Sequence, residues 1–323
     1  MRKLFSSFLL FCVGVLSASA QSGSIELSPN FSEREVMIHV ASGNLYGTLT
    51  IPLNNELGIV ALVIPDFGLT DRDGNSAQAG DPHSLKMLAE DLAKEGISTL
   101  RLEKREVTES KASAIVTSGV RIEDMVEDAV RWLRFLKADK RFSKLAVIGH
   151  GEGALVGMLA SEITDISYYI SIGGHGKPGY DLVETNLAEQ LTPEQMNTAR
   201  MYIDEMKKGN LLEDVKPALA SIFNPAIQLY LVSWFKYNPV IEIANLKANI
   251  LLVQGSNDTR VSQQELALLA SAYPKANKLL IDGMDHILKP SKEKQEYSVV
   301  LANIPLASGL VDGIAAFLKD KNK

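Results

Sequence analysis

Residues 144–157, Lys-Leu-Ala-Val-Ile-Gly-His-Gly-Glu-Gly-Ala-Leu-Val-Gly, constrain the fold more than any other stretch of this chain. An apolar run ends at three glycines spaced two apart, Gly149, Gly151 and Gly153, and passes at once into an apolar, alanine-containing helical pattern. That is a buried strand, a sharp turn and a helix. The flanking segments repeat the theme. Ile59 to Ile64 and Ile166 to Ile172 are continuous apolar runs, as expected of strands covered on both faces, and Ile97 to Leu102 and Ile250 to Gln254 read as further strands. Between them, Leu85, Leu88, Ala89 and Leu92, and then Met125, Ala129, Trp132, Leu133 and Leu136, recur at helical spacing. Alternation of this kind predicts an α/β fold, a mainly parallel sheet with helices on both faces.

The rest of the chain fills in that scheme. Val36 to Val40 and Leu45 to Ile51 read as a hairpin turned at Ser42-Gly43-Asn44. After Gly176 the alternation stops, and residues 177–237 read as helical, with a capping box and a first-turn proline at Thr192-Pro193-Glu194-Gln195. Phe223, Ile227, Leu231, Trp234 and Phe235 form an aromatic stripe within it, suited first to core packing and secondly to lining a pocket. The alternation resumes with a helix over Gln263 to Tyr273, a short strand at Lys278 to Ile281, and a helix near Gly309 to Leu318.

The N-terminus reads differently. Arg2 and Lys3, an apolar stretch from Leu4 to Leu16, and Ala18-Ser19-Ala20 have the form of an export leader cleaved after residue 20. Cys12, the only cysteine, falls inside that segment and follows Phe11 rather than a small residue, which argues against a lipid anchor. No later stretch approaches the roughly 20 apolar residues of a membrane span. The expected organisation is a leader over 1–20, a core over 21–176, a helical cap over 177–237 and the remainder of the core over 238–323. The chain has 33 basic and 39 acidic side chains, a formal charge of −6. An acidic balance disfavours nucleic acid as a partner. The five histidines, His39, His83, His150, His175 and His286, show no metal-ligand spacing, so no metal or cofactor is expected.

Two chemistries suit the turn at 149–153. Gly149-x-Gly151-x-x-Ala154 fits a loose dinucleotide fingerprint, but that motif requires an acid about 20 residues further on, where Tyr168-Tyr169-Ile170-Ser171-Ile172-Gly173 has none. Gly149-x-x-x-Gly153 instead fits the frame G-x-S-x-G of a nucleophile elbow, with glycine at the serine position. Two later motifs agree with the second reading. Gly255-Ser256-Asn257-Asp258-Thr259-Arg260-Val261 follows one strand, and Gly283-Met284-Asp285-His286 follows the last.

In this order and setting the motifs resemble the α/β-hydrolase superfamily, over nearly the whole chain beyond the leader. Thr70-Asp71-Arg72-Asp73-Gly74-Asn75 and Ser233-Trp234-Phe235-Lys236-Tyr237 resemble an exported bacterial esterase branch related to the serine-aminopeptidase and dienelactone-hydrolase groups. The resemblance implies Asp258 as the acid and His286 as the base of a triad, with the backbone N–H groups of Phe67 and Glu152 as oxyanion donors. Three departures fall on that machinery. Gly151 replaces the nucleophilic serine, easing a strained turn while removing its hydroxyl. Asp66, in Pro65-Asp66-Phe67-Gly68, puts a carboxylate beside the oxyanion position, where it opposes stabilisation unless turned away or paired. Arg101-Leu102-Glu103-Lys104-Arg105-Glu106 looks like the branch's R-x-D-K-R-G with the aspartate lengthened and the glycine lost.

Carboxylic-ester hydrolysis is the reaction class implied, weakened or lost with the serine. The alternatives are a non-catalytic protein that binds a small ester, acyl ligand or protein through the pocket under the cap, and a hydrolase whose nucleophile is displaced to water or a neighbouring hydroxyl. With serine restored at position 151, the new hydroxyl is expected within reach of His286.

Overall fold

The computed structural model describes residues 30–114, 119–291 and 301–320. The expected leader lies outside these residues. β1 (Phe31–Val40) and β2 (Gly43–Pro52) form the hairpin, followed by β3 (Ile59–Ile64), α1 (Ser84–Lys94), β4 (Ser98–Leu102), α2 (Ile122–Ala138), β5 (Lys144–His150), α3 (Glu152–Ile163) and β6 (Tyr168–Ile172). Then come α4 (Gly179–Ala188), α5 (Pro193–Lys207), α6 (Pro225–Trp234), α7 (Pro239–Asn245), β7 (Asn249–Gly255), α8 (Gln263–Ala272), β8 (Asn277–Ile281) and α9 (Leu310–Lys319). The strands make one eight-stranded sheet in the order β1-β2-β4-β3-β5-β6-β7-β8. β1, β2 and β4 pair antiparallel, and β4 through β8 pair parallel.

The side-chain alternation of β3 divides the core in two. Val60, Leu62 and Ile64 point to one face, where Ile122, Trp132 and Leu133 of α2 and Leu155 of α3 pack. Ile59, Ala61 and Val63 point to the other, against Leu85, Leu88 and Leu92 of α1 and Ile314 of α9. β5 splits in the same way, with Leu145 and Val147 on the first face and Ala146 and Ile148 on the second. A period of two, buried on both sides, is what turns an unbroken apolar run into a central strand.

The helices between β6 and β7 carry a third cluster of their own, built on Met196, Ile203, Phe223, Leu231 and Phe235. The aromatic stripe therefore divides: Phe223 and Phe235 are core, whereas Ile227 and Trp234 line cavities. The capping box at α5 forms as the sequence predicts, with Thr192 Oγ1 accepting from Gln195 N and Gln195 Oε1 accepting from Thr192 N. α7 has no counterpart in the periodicity reading, because seven residues are too few to show a helical stripe; its signals are the Asn238 cap and Pro239 at the first position. Among the described residues, no helix is long and apolar enough to cross a membrane.

Candidate active site

The carboxyl ends of β3, β5, β7 and β8 open onto one cleft, and each delivers one candidate residue. Gly151 follows β5 at φ 55°, ψ −119°, a region that glycine occupies without a Cβ penalty. Its N–H is tied to the Ile172 carbonyl of β6 at 3.0 Å. Two residues on, Gly153 packs so close to the end of β3 that an added Cβ would overlap the Ile64 and Pro65 carbonyls. The turn from β5 into α3 is therefore tight, with Gly151 at its apex.

Asp258 and His286 meet as the resemblance implies. His286 Nδ1 lies 2.9 Å from Asp258 Oδ2, and both side chains are buried. The Asp258 carboxylate is fixed by the backbone N–H groups of Arg260 and Val261 on Oδ1, both at 2.9 Å, and by Gln254 Nε2 on Oδ2 at 3.2 Å. The turn that carries His286 is held by Asp285 N donating to the Lys289 carbonyl at 2.9 Å, and by Ser84 Oγ of α1 donating to the Ile287 carbonyl at 2.5 Å.

Of the two ways in which Asp66 could be accommodated, turned away or paired, the structure shows the second. The Asp66 carboxylate fills the space beside Gly151, with Oδ2 3.0 Å from His286 Nε2 and Oδ1 accepting the Glu152 N–H at 2.9 Å. A Cβ built on Gly151 would overlap Asp66 Oδ1. A serine introduced at this position therefore cannot simply slot in within reach of His286. Glycine at the apex and aspartate after β3 are complementary in volume.

Of the two expected oxyanion donors, the Glu152 N–H is committed. Glu152 N–H bonds Asp66, and the Phe67 N–H also favours the Asp66 carboxylate. In effect Asp66 caps the N-terminus of α3 from a distant loop, as an anion suits a helix start.

The electrostatics follow from this geometry. Burial alone would raise the Asp66 carboxyl, but the His286 hydrogen bond and charge and the Phe67 N–H hold it well below the ordinary carboxylate range. Asp258 is lowered in the same way: burial would raise it, but the His286 hydrogen bond and charge, with the Val261 and Arg260 N–H groups, together outweigh burial. Burial works against the His286 cation too, yet the bonds to Asp258 and Asp66 push it up to about 9. An imidazole that donates from both nitrogens to two carboxylates must be the imidazolium. At neutral pH the centre is a buried row of three charges, minus, plus, minus.

His150, which the sequence reading considered only as a metal ligand, packs its ring 4.8 Å from that of His286. Its Nε2 lies 2.8 Å from the His286 carbonyl, which can only accept, so Nε2 carries the proton. Burial, then the neighbouring His286 charge, lowers His150 to about 4. It is a neutral clamp on the backbone of His286. Its position inside Gly149-x-x-x-Gly153 was the available signal.

Lys104 is the second residue the sequence left without a role. Its half-buried side chain donates from Nζ to the Asp66 carbonyl, and desolvation lowers the amine against the attraction of Glu152 and Asp66. The Glu152 side chain accepts from the Tyr230 hydroxyl of α6, and burial raises its carboxyl. The neighbouring Glu103, pushed up to about 7 by burial, accepts from Thr108 Oγ1 at 2.6 Å and Arg72 N at 3.1 Å. Glu106 adopts a left-handed backbone, φ 68°, without the glycine that would suit it.

Besides a small one of about 40 Å³ against Asp66, His150 and His286, two larger cavities adjoin the centre. One of about 330 Å³ is bounded by Asp66, His286, Gly151, Leu155, Trp234 and Arg260. A larger one, about 800 Å³, lies beyond Phe67 and Glu152, with Leu69, Met125, Ile227 and Tyr230 in its walls. Among the described residues, no group of three or more His, Cys, Asp or Glu side chains is arranged to hold a metal.

No family model matches the chain. Over 297 residues it is 24% identical to Esterase EstD of Thermotoga maritima, a stretch covering 90% of this chain and 68% of that one. Est1E from Butyrivibrio proteoclasticus superposes with a TM-score of 0.55 at 15% identity, covering 88% of this chain and 97% of its own. The α/β hydrolase GrgF from Penicillium sp. sh18 superposes at 0.51 and 15% identity, covering 79% and 91%. The chain has the α/β-hydrolase fold, and its sequence is similar to an esterase.

Proposed function

We propose that this is an exported, esterase-like α/β hydrolase in which the serine route to ester hydrolysis is closed, because a carboxylate stands where the elbow hydroxyl would act. The observation that carries the reading is the 3.0 Å bond between Asp66 Oδ2 and His286 Nε2, made across the apex of an elbow whose residue is Gly151. Asp258 and His286 keep the arrangement of an acid and base. The hydroxyl they would activate is missing, and the Glu152 N–H that would stabilise a substrate oxyanion is occupied.

Turnover of aryl esters tests this directly. The parent protein and Gly151→Ser alone should both be silent towards para-nitrophenyl acetate and butyrate, the single variant because its side chain meets Asp66. Gly151→Ser combined with Asp66→Gly removes the overlap and frees the Glu152 N–H. It should gain at least the 10²–10³ in rate that about one oxyanion donor is worth. Ordinary ester turnover by the parent, or a double variant no faster than Gly151→Ser, would overturn the reading.

The cavity of about 800 Å³ supports a second reading, a binding protein for a small apolar ligand, since its volume falls in the usual range for such sites. A silent double variant in which crystallography shows the introduced serine hydroxyl bonded to His286 would favour it.

A further inference from the structure

We infer that Lys104 is a covalent anchor in the large cavity, capturing an apolar aldehyde or ketone as an imine, with Glu152 as the acid that expels water. This names the ligand class for the binding reading above and rests on that reading; neither Asp66 nor His286 is a reacting group in it. Three features of the cavity carry it.

The first is where the amine stands. Lys104 lies just past the end of β4, and its side chain forms part of the wall of the cavity of about 800 Å³, among Leu69, Leu102, Met125, Val156 and Ile227. Nζ donates to the Asp66 carbonyl. Among the described residues no carboxylate forms an ion pair with it; Glu152, Asp66 and Glu103 act on it only across space. A lysine in water keeps its proton at neutral pH and cannot attack a carbonyl carbon. Loss of water around Nζ lowers this amine in spite of those three acids, which frees its lone pair.

The second is the acid on the same wall. Glu152 lines the same cavity, and the Tyr230 hydroxyl donates to its Oε2. Burial raises the carboxyl, so it holds its proton to higher pH than a surface glutamate does. Tyr230 takes Oε2, which leaves Oε1 to carry that proton. An unprotonated amine and a retained carboxylic acid are the two groups that imine formation needs, the first to add to carbon and the second to remove oxygen.

The third is what the cavity admits. Its wall is mostly apolar, which favours a neutral carbonyl compound bearing a chain or ring over a charged one. An ester would leave the amine as a permanent amide, and its oxyanion would need the Glu152 N–H that Asp66 already occupies. With an aldehyde or ketone, the amine proton passes to the carbonyl oxygen as the carbon–nitrogen bond forms, giving a neutral carbinolamine. Glu152 then protonates the new hydroxyl and the carbon–oxygen bond breaks. Water leaves as the nitrogen lone pair closes the carbon–nitrogen double bond. The sum is carbonyl plus amine to imine plus water, with the Glu152 proton now resting on nitrogen and no oxidant or cofactor. Water returning along the same path releases the ligand.

The parent protein is incubated with octanal and, separately, benzaldehyde in the presence of cyanoborohydride, which delivers hydride to the imine carbon and fixes the adduct as a secondary amine. After digestion, Lys104 should carry the mass of one reduced aldehyde adduct at close to one per chain, while exposed lysines such as Lys94 and Lys208 stay largely unlabelled. Lys104→Arg should label only at the surface background, and Glu152→Gln should label Lys104 about 10²-fold more slowly. Labelling of exposed lysines with none at Lys104 overturns the inference, as does labelling of Lys104 at the parent rate in Glu152→Gln. The mapping run uses no variant, so it stands even where Lys104→Arg fails to fold. Octanol, which cannot form an imine, separates the inference from the reading beneath it. Octanol binding by calorimetry with no Lys104 adduct from octanal keeps the binding reading and discards the imine; neither binding nor adduct discards both.

Discussion

At the scale of single residues, the site is decided by one exchange of volume. Removing the Cβ at Gly151 leaves room that the Asp66 carboxylate enters, and that carboxylate in turn occupies the place of a side chain at 151. Both changes stood in plain view in the sequence. Their complementarity did not, because it depends on the direction of a side chain far away along the chain from its partner. Asp258 and His286 were legible because each follows a strand in a short turn of fixed form. His150 and Lys104 were not, since their roles are bonds to the backbones of His286 and Asp66. Glu106 gives a test at this scale. A non-glycine residue held at φ 68° costs about 1–2 kcal/mol, partly offset by the greater unfolded-state freedom of glycine. Glu106→Gly should therefore raise stability by about 0.5–1 kcal/mol in urea unfolding; a loss would mean that the glutamate side chain contributes more than its backbone costs.

At the scale of elements, the central strands were readable because burial on both faces leaves no alternative to an apolar run. β3 occupies the span its sequence predicts, Ile59–Ile64, and all six residues are buried. The hairpin was under-read at both ends. β1 starts at Phe31, and its half-exposed edge, Phe31–Val40, carries Ser, Glu and Arg that dilute the alternation. α7 escaped through brevity. Where a local rule has a side chain to enforce it, the boundary is sharp: α5 starts at Pro193 because Thr192 and Gln195 satisfy its first backbone donors. Thr192→Ala should lower stability by about 1 kcal/mol, read as a shift in the urea midpoint with unchanged slope, whereas Thr192→Ser should restore it. An unaffected midpoint would mean that α5 is held by its apolar face alone.

At the scale of the whole molecule, the parallel sheet gathers residues 66, 151, 258 and 286 at the carboxyl edge of one surface, the usual place for a site in such folds. The charges collected there set how stability varies with pH. Asp66 and Asp258 are lowered, so their contribution is present above about pH 4 and fades as pH falls through their folded values. His150, lowered to about 4, must stay neutral inside, and adds a loss as pH falls from about 6.5 towards 4. His286, raised to about 9, acts in the opposite sense: its contribution is complete below about 6.5 and is lost as pH climbs through 9. Glu103, raised to about 7, contributes fully below about pH 4.5 and loses that contribution by about pH 7, against the rise from His150 over the same range. The contribution of these site groups should be greatest between about pH 4.5 and 6.5 and fall by about 3 kcal/mol towards pH 9.5, opposed above about pH 8 by Lys289, which burial lowers to about 8. Thermal unfolding across that range checks it, and His286→Gln should flatten the alkaline limb. A parent protein whose melting temperature is level from about pH 6.5 to 9.5 would show that His286 is not held as the cation.

The Asp66 carboxylate also changes what the cleft can retain. An acid released by ester cleavage would seek the Glu152 N–H and the His286 cation, and both are already satisfied by a group of the same chemistry fixed to the chain. A tethered group competes at an effective concentration of millimolar or more, whatever the concentration of free acid outside. The protein therefore holds a permanent occupant of its own anion seat, and carboxylates in the surroundings meet a site that is already taken.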